Sequence, residues 1–407
     1  MREFHISVSA RIWLPTYSMT MINDLQAELE QRAADGLMRK RRLLDSPQDA
    51  HVDVAGQHLL SFCSNDYLGL ANHPKLIAAL QQGAAEAGVG SGASHLITGH
   101  HRYHEQLEQA LAAFVKLPAA LLFSTGYMAN IGIITALLGR NDAVFADKLN
   151  HASLNDAVVL SRATLHRYPH NDMLALEGML KASSASRKLV VADAVFSMDG
   201  DLAPVPEMLA LCEKYDAWLL LDDAHGFGIL GAQGRGILSH FKVASPRIIY
   251  MATLGKAAGV FGAFVAAEPV VIDYLVQNAR SYIYTTATPP ALSASLLAAL
   301  QIIEQEDARR MHLQNLIEYL QTNLHLQRWQ LTQSSTAIQP LIVRSNEDAL
   351  RLSEYLLTHG ILVPAIRPPT VPKGSARLRI SLSAAHTLDD VQHLVNTLHS
   401  AEKEMAV

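Results

Sequence analysis

The sequence predicts an α/β protein. A mostly parallel sheet, covered by helices on both faces, is joined to a smaller α+β carboxy-terminal domain. Two observations carry this. From about residue 119 to residue 255, short runs that are apolar throughout alternate with helix-length runs. Strands buried on both faces read this way, and the helices between them supply the cover. From about residue 290 a long helical stretch leads into a region of mixed strands and helices.

In order, a helical pattern opens at "INDLQAELEQRAADGLMRKRRLL" and ends in the basic cluster Arg39 to Arg42. Two readings of that cluster stand: a cation-rich helix end favoured by the helix dipole, or an entrance for an anionic substrate. Strands are expected at "AALLFST", "DAVFAD", "RKLVVADAVFS", "AWLLLDDA" and "RIIYMATLG". Helices are expected at "YMANIGIITALLG", "HASLNDAVVLSRA" and "PVPEMLALCEKYD". The carboxy-terminal region has one long helical stretch from residue 291 to 324, strands at "AIQPLIVRS", "ILVPAI" and "RLRISLS", and two flanking helices. The expected organisation is a non-structural leader over residues 1–20 and a helix with connecting segment over 21–62. A large domain over 63–300 and a small one over 301–407 follow. Met19 and Met21 are candidate true starts.

The 407-residue chain is 49% hydrophobic and 17% charged, the balance of a globular protein. A net charge of −5 offers no basic footprint for nucleic acid. No apolar run approaches the roughly 18 residues that span a membrane. The two cysteines, Cys63 and Cys212, are too few for a disulfide framework and suit a cytoplasmic protein.

One stretch invites a wrong reading. Gly226, Gly228 and Gly231 spell G-x-G-x-x-G after a strand. A dinucleotide site needs the last glycine to open a helix, and an acid about 20 residues later. The glycines instead continue through Gly234 and Gly236, and no acid lies between Asp223 and Glu268. A tight surface loop is expected, and a nicotinamide oxidoreductase is disfavoured.

The chemistry is expected in the acids. Asp222 ends a buried strand, where a carboxylate is costly unless it meets a cation. Lys256 follows the next strand among small residues, where a lysine loses its proton readily and forms Schiff bases. This pairing suits pyridoxal phosphate: the aspartate keeps the pyridine nitrogen protonated and the lysine holds the aldehyde. A buried ion pair without chemistry is the plain alternative. Gly126 and the helix start at Tyr127 to Asn130 supply free N–H groups for a phosphate, and Thr253 adds a hydroxyl. His100, His101 and His104 suggest zinc, but H-E-x-x-H is absent because position 108 is Glu. A helix start, and no metal, is expected there.

The segments "FCSNDYLGLANHPKL", "GVGSGASHLITGHHRYHEQLE", "FSTGYMAN", "NHASLNDA", "VFSMDGDLAPV", "LDDAHGFGILGAQGRG", "TLGK" and "YTTATPP" resemble the α-oxoamine synthases. These are fold-type I pyridoxal phosphate enzymes that join an amino acid to an acyl thioester. The resemblance runs from about Leu25 to about His399. It implies that Lys256 is the Schiff-base lysine and Asp222 the pyridinium partner. His225 would bond the ring hydroxyl, and His151 would stack on the ring and meet substrate. Gly126, Tyr127, Ser197 and Thr253 would contact the cofactor. Thr285 and Thr286 would reach the phosphate from the neighbouring subunit, implying a homodimer with shared sites. Arg379, helped by Asn65, would clamp the amino-acid carboxylate. Thr370 and Arg39 would contact substrate.

The run Arg367 to Pro372 resembles the branch that condenses L-alanine with a pimeloyl thioester, on coenzyme A or acyl carrier protein, in biotin synthesis. Glycine C-acetyltransferase and 5-aminolevulinate synthase are the alternatives within the family. Three departures stand out. The amino-terminal arginine that would contact substrate aligns with Met38 or Arg39 in "LMRKRR", and Arg39 is favoured. Asp193 occupies a usual glutamate position, and Ala258 a position commonly larger and apolar.

Overall fold

The structure is a computed structural model and describes residues 20–39 and 41–405. The chain divides into two units, residues 1–43 and 44–407. The expected leader lies almost wholly outside the described residues.

In the first unit the helix runs Thr20–Ala34 and buries none of its residues. It ends earlier than its sequence pattern predicts. Gly36 takes φ +65°, and the Leu37 N–H turns back to the Arg32 carbonyl at 2.8 Å, as helix ends closed by a left-handed glycine do. Arg39, Arg41 and Arg42 therefore lie past the helix, and the dipole reading of that cluster is withdrawn.

In the second unit the main sheet has seven strands. Their order is Ala119–Phe123, Ala263–Ala267, Ile248–Thr253, Trp218–Asp222, Lys188–Asp193, Ala143–Asp147, Thr164–Tyr168. All pairings are parallel except the two made by Ala263–Ala267. Within each central strand alternate residues enter different cores: Ala143 and Phe145 one, Val144 and Ala146 the other. The same split separates Leu219 and Leu221 from Leu220. This is the period of two with both faces covered. The strands Thr164–Tyr168 and Ala263–Ala267 were not foreseen. The first is a half-exposed edge, and the second is too rich in alanine to stand out by β-propensity.

Register places the acids. Asp193 lies opposite Asp222 at the carboxyl ends of adjacent parallel strands. Ligands of open α/β sheets gather at this edge.

The glycine loop corrects the sequence reading: it is mostly buried rather than a surface loop. It wraps the buried Asp223 carboxylate, which accepts the Ile237 N–H at 2.7 Å and the Tyr250 hydroxyl at 2.8 Å. A Cβ at Gly226 or Gly236 would collide with that carboxylate, and Gly236 also holds φ +86°. The glycines cradle a side chain of the chain itself.

Two further sheets complete the unit. Gln330–Leu331, Ile338–Arg344, Ala376–Ser381 and Ala365–Ile366 pair antiparallel. The hairpin His51–Val54 and Gln57–Ser61 pairs with Ile361–Leu362. The expected strand "ILVPAI" is thus two pieces in two sheets, parted at Pro364, which has no N–H for a ladder. The expected long helix is likewise two, Pro290–Gln305 and Asp307–Asn323, broken at Glu306 with ψ +64°.

One ion pair braces the sheet edge. His170 meets Asp147 at 3.1 Å and Asp201 at 2.7 Å. Burial opposes its charge, but the hydrogen bonds to Asp147 and Asp201 outweigh burial and raise its pKa to about 10. A raised folded value means that its stabilisation is complete below the ordinary 6.5 and fades as pH climbs to about 10. His170→Ala is expected to cost about 3 kcal/mol near pH 6 in urea unfolding, with the gap to the native chain narrowing toward about pH 9.5. A gap that widens with pH would contradict the assignment.

Candidate active site

A cavity of about 190 Å³ opens at the carboxyl edge of the main sheet, and Asp193, Asp222, Thr253 and Lys256 line it. Asp222 is 6% exposed. Its Oδ2 accepts from Asn130 Nδ2 at 2.8 Å and its Oδ1 from the Ala224 N–H at 3.1 Å. Both donors hold its orientation. Burial first, and then Asp222, push the Asp193 carboxyl far above the usual range. Adjacent carboxyls disfavour each other's ionisation, and here Asp193 is the one pushed toward its neutral form. Asp193 accepts the His151 N–H at 3.1 Å and lines the cavity, so the shorter acid still reaches it.

Lys256 sits just past the strand Ile248–Thr253. Its Nζ lies 2.9 Å from His225 Nε2. Burial lowers its pKa to about 8, against the pull of Asp222 and Asp193. Burial and the Lys256 and Arg379 cations push His225 well below its ordinary value, so its ring is neutral. His151 also lines the cavity and caps the helix Ala152–Ser161, with Nδ1 2.7 Å from Ser153 Oγ. The helix-end reading and the site reading of His151 coexist.

The residues fit a phosphorylated aldehyde with a basic ring. The helix Gly126–Leu137 points its amino terminus into the cavity, and its first N–H groups have no intrahelical acceptor. A Cβ at Gly126 would stand 2.7 Å from Thr253 Cγ2, so only glycine brings the helix start this close. Thr253 Oγ1 is buried with no hydrogen-bond partner among the described residues, as expected of a hydroxyl kept for a ligand. Tyr127 lines the cavity and donates its hydroxyl to Asp156. Ser197 lines it too, and its carbonyl accepts from Arg379 Nε at 2.6 Å.

Arg379 lies on the buried strand Ala376–Ser381 and donates to Asn65 Oδ1 at 3.2 Å. The pair foreseen as a carboxylate clamp is therefore in contact. Thr285, Thr286 and Thr370 do not line the cavity, and Thr286 and Thr370 are exposed. Arg39 belongs to the first unit and is exposed. Ala258 is buried in the core, where its small size is used for packing.

The histidines come closer than sequence spacing suggested, because His95 joins His100 and His104 on a short π-helical turn. Both nitrogens of His104 are engaged, accepting from the His101 N–H at 2.9 Å and meeting the Thr288 carbonyl at 2.8 Å. That commitment leaves it no lone pair for a metal.

Four residues at the site were not foreseen in their roles. Asn130 braces Asp222, and Ser153 in turn accepts from Asn130 Nδ2 at 2.9 Å. Asn150 holds the backbone of Asp193. Tyr67, 1% exposed, bonds His225 at 2.7 Å. "TGYMAN" and "SNDYLG" carry two of them, but the sequence does not show which side chains meet.

Fold and site define a fold-type I pyridoxal phosphate-dependent transferase. The family model described as aminotransferase class I and II matches residues 57–398. The 8-amino-7-oxononanoate synthase of Methylobacillus flagellatus is 63% identical over 94% of this chain and 97% of its own. A solved 8-amino-7-oxononanoate synthase from Francisella tularensis is 30% identical, with a TM-score of 0.73 over 86% of this chain and 99% of that one. A serine palmitoyltransferase from S. paucimobilis, solved with a bound PLP–myriocin aldimine, is 28% identical. Its TM-score is 0.89, covering 96% of this chain and 99% of that one. The chain belongs to the class I and II aminotransferase family, on the branch of the 8-amino-7-oxononanoate synthases.

Proposed function

We propose that this protein condenses L-alanine with a pimeloyl thioester to give 8-amino-7-oxononanoate, carbon dioxide and the free thiol, a step of biotin synthesis. Pyridoxal phosphate is its cofactor. The observation that carries the reading is Lys256: an amine lowered to about 8, set 2.9 Å from a neutral His225 in a cavity that ends at Asp222. The choice of substrates rests on the names of the relatives that match nearly the whole chain.

When bound, pyridoxal phosphate supplies an electron sink for a carbanion at the amino-acid Cα. Lys256 would hold the aldehyde carbon, the free N–H groups at Gly126 and Tyr127 with Thr253 the phosphate, and Asp222 the ring nitrogen. His225 would face the ring hydroxyl and His151 the ring. Once alanine has taken its place, the Lys256 amine removes the Cα proton. Arg379, fixed by Ser197, Asn65 and Ser381, orients the alanine carboxylate. A bond from Cα to the thioester carbonyl expels the thiolate, which takes up a proton. The carboxylate then leaves as carbon dioxide, and a proton returns to Cα.

Thr370 and the run Arg367 to Pro372 are assigned to the pimeloyl chain. Thr285 and Thr286 lie away from this cavity, which agrees with a homodimer in which they complete the partner's phosphate site. The cytoplasm is the proposed location. Among the described residues no helix is long and apolar enough to cross a membrane.

The test is a competition among pimeloyl, succinyl and acetyl thioesters, each with alanine or glycine. An acetyl group leaves the acyl channel unfilled at about 0.8 kcal/mol for each unburied CH₂. Pimeloyl thioester should win clearly. Alanine should lead glycine by only about 1–3 kcal/mol, the worth of one methyl contact. Preference for acetyl thioester with glycine would defeat the substrate assignment and leave the chemistry at Lys256 standing. Parallel assays with coenzyme A and acyl carrier protein esters identify the carrier.

A further inference from the structure

Tyr67 stands between the amine and the carboxylate clamp. Its hydroxyl lies 2.7 Å from His225 Nδ1, 3.1 Å from Asn65 Oδ1 and 3.3 Å from Arg379 Nη2. Beyond His225, Nε2 faces Lys256 Nζ at 2.9 Å. The five side chains form one continuous hydrogen-bonded line, and burial keeps the Tyr67 phenol protonated.

Counting protons on that line gives two arrangements. Arg379 can only donate, and the Asn65 carbonyl oxygen can only accept. Tyr67 has one proton. In the first arrangement it goes to Asn65, so His225 must donate from Nδ1. Its Nε2 then carries a lone pair toward Lys256, which suits an ammonium. In the second, Tyr67 gives its proton to His225 Nδ1. The Nε2–H then points at Lys256, which suits a neutral amine. Asn65 loses nothing it needs, because Arg379 Nη1 still donates to it at 3.2 Å. Passing from the first to the second takes one proton off the line to solvent: Lys256 gives a proton to Nε2, His225 loses the one on Nδ1, and the Tyr67 hydroxyl turns to donate to Nδ1.

We propose that Tyr67 is a positioning residue whose hydroxyl sets the tautomer of His225 to match the protonation of Lys256 and ties that switch to the Arg379–Asn65 clamp. A group that must be an ammonium at one stage and a base at another gains from a partner that reverses polarity with it. A histidine fixed in one tautomer would oppose one of the two states. Tyr67 does not itself line the cavity, and its hydrogen bonds reach Lys256 through His225. The charges facing Lys256 and His225 from other elements are Asp222, Asp193, Asp223, Arg379 and the ionisable ring of His151. When Tyr67 becomes Phe no charge is added or removed among them, and only Arg379 loses a contact, the one from Nη2 to the Tyr67 hydroxyl.

Tyr67→Phe keeps the ring and removes the switch. His225 Nδ1 then loses its partner. A buried lone pair without a partner is tolerated better than a buried N–H, so the Nε2–H tautomer is favoured. That form opposes an ammonium on Lys256. The titration midpoint of Lys256, read from the pH dependence of pyridoxal phosphate capture by cofactor-stripped full-length enzyme, is expected to fall by about half a unit or more. Turnover of the holoenzyme is expected to fall about 10- to 100-fold, as with other residues that orient a reactive group through a hydrogen bond. KM for alanine should move little, because Arg379 and Asn65 still hold each other. An unchanged midpoint would overturn the proposal, as would a loss expressed only in KM.

The native chain offers a second measurement, free of folding effects. The ¹⁵N shifts of the His225 ring are followed while Lys256 titrates. A change from Nδ1–H to Nε2–H across that titration is expected, and a single tautomer throughout would overturn the proposal. The inference rests on Lys256 as the reactive amine. The NMR readout does not depend on turnover, so its failure leaves the proposed function intact.

Discussion

Lys256→Ala is expected to abolish turnover. Among the described residues no other lysine lines the cavity, and the amine both holds the aldehyde and moves the Cα proton. A well-placed proton-transfer group alone contributes about 10²- to 10⁴-fold, so a fall beyond about 10⁴-fold is expected once the covalent role is lost as well. The phosphate cradle is untouched: the helix start at Gly126 and the unpartnered Thr253 hydroxyl remain. Equilibrium dialysis of the variant should therefore still retain pyridoxal phosphate without a covalent bond. Turnover like that of the native enzyme would remove the basis of the whole assignment.

Asp222→Asn is the second large effect expected. Asparagine has nearly the same shape and still offers one oxygen to Asn130 or to the Ala224 N–H. What it lacks is the charge that holds a proton on a ring nitrogen. Depriving a buried charge of its partner costs about 3–5 kcal/mol, which at 1.36 kcal/mol per decade is about 10²- to 10⁴-fold in rate. With Asp222 neutral, Asp193 loses the neighbour that discouraged its ionisation and can replace part of the charge. The double variant with Asp193→Asn is therefore expected to fall below the single one. Steady-state rates of both, normalised to bound cofactor, make the test. Equal rates for the two would show that Asp193 carries no charge in either.

The strand-end acids were legible because burial on both faces leaves an unmistakable apolar run, and a carboxylate at its end needs a reason. Lys256 was legible for the same reason. The glycine loop was misread because glycine reports backbone freedom and not burial. What those turns enclose, the Asp223 carboxylate, lies just before them and gives no pattern of its own. Tyr67 and Asn130 were out of reach for a different reason. Their partners stand 158 and 92 residues away in sequence, and periodicity describes only neighbours. The antiparallel strand Ala263–Ala267 was missed because its three alanines carry little β-propensity.

The pairing of Gln57–Ser61 with Ile361–Leu362 has a consequence for biogenesis. On the ribosome, the hairpin emerges early and then waits for about 300 further residues before its third strand exists, with one edge open to any extended chain nearby. Bringing ends that far apart together costs about 5 kcal/mol in chain entropy, and only the finished main sheet between them repays it by holding the two segments near each other. Assembly therefore runs from the middle of the polypeptide outward. A nascent chain stalled before residue 361 should present a protease-sensitive hairpin beside an already protected sheet.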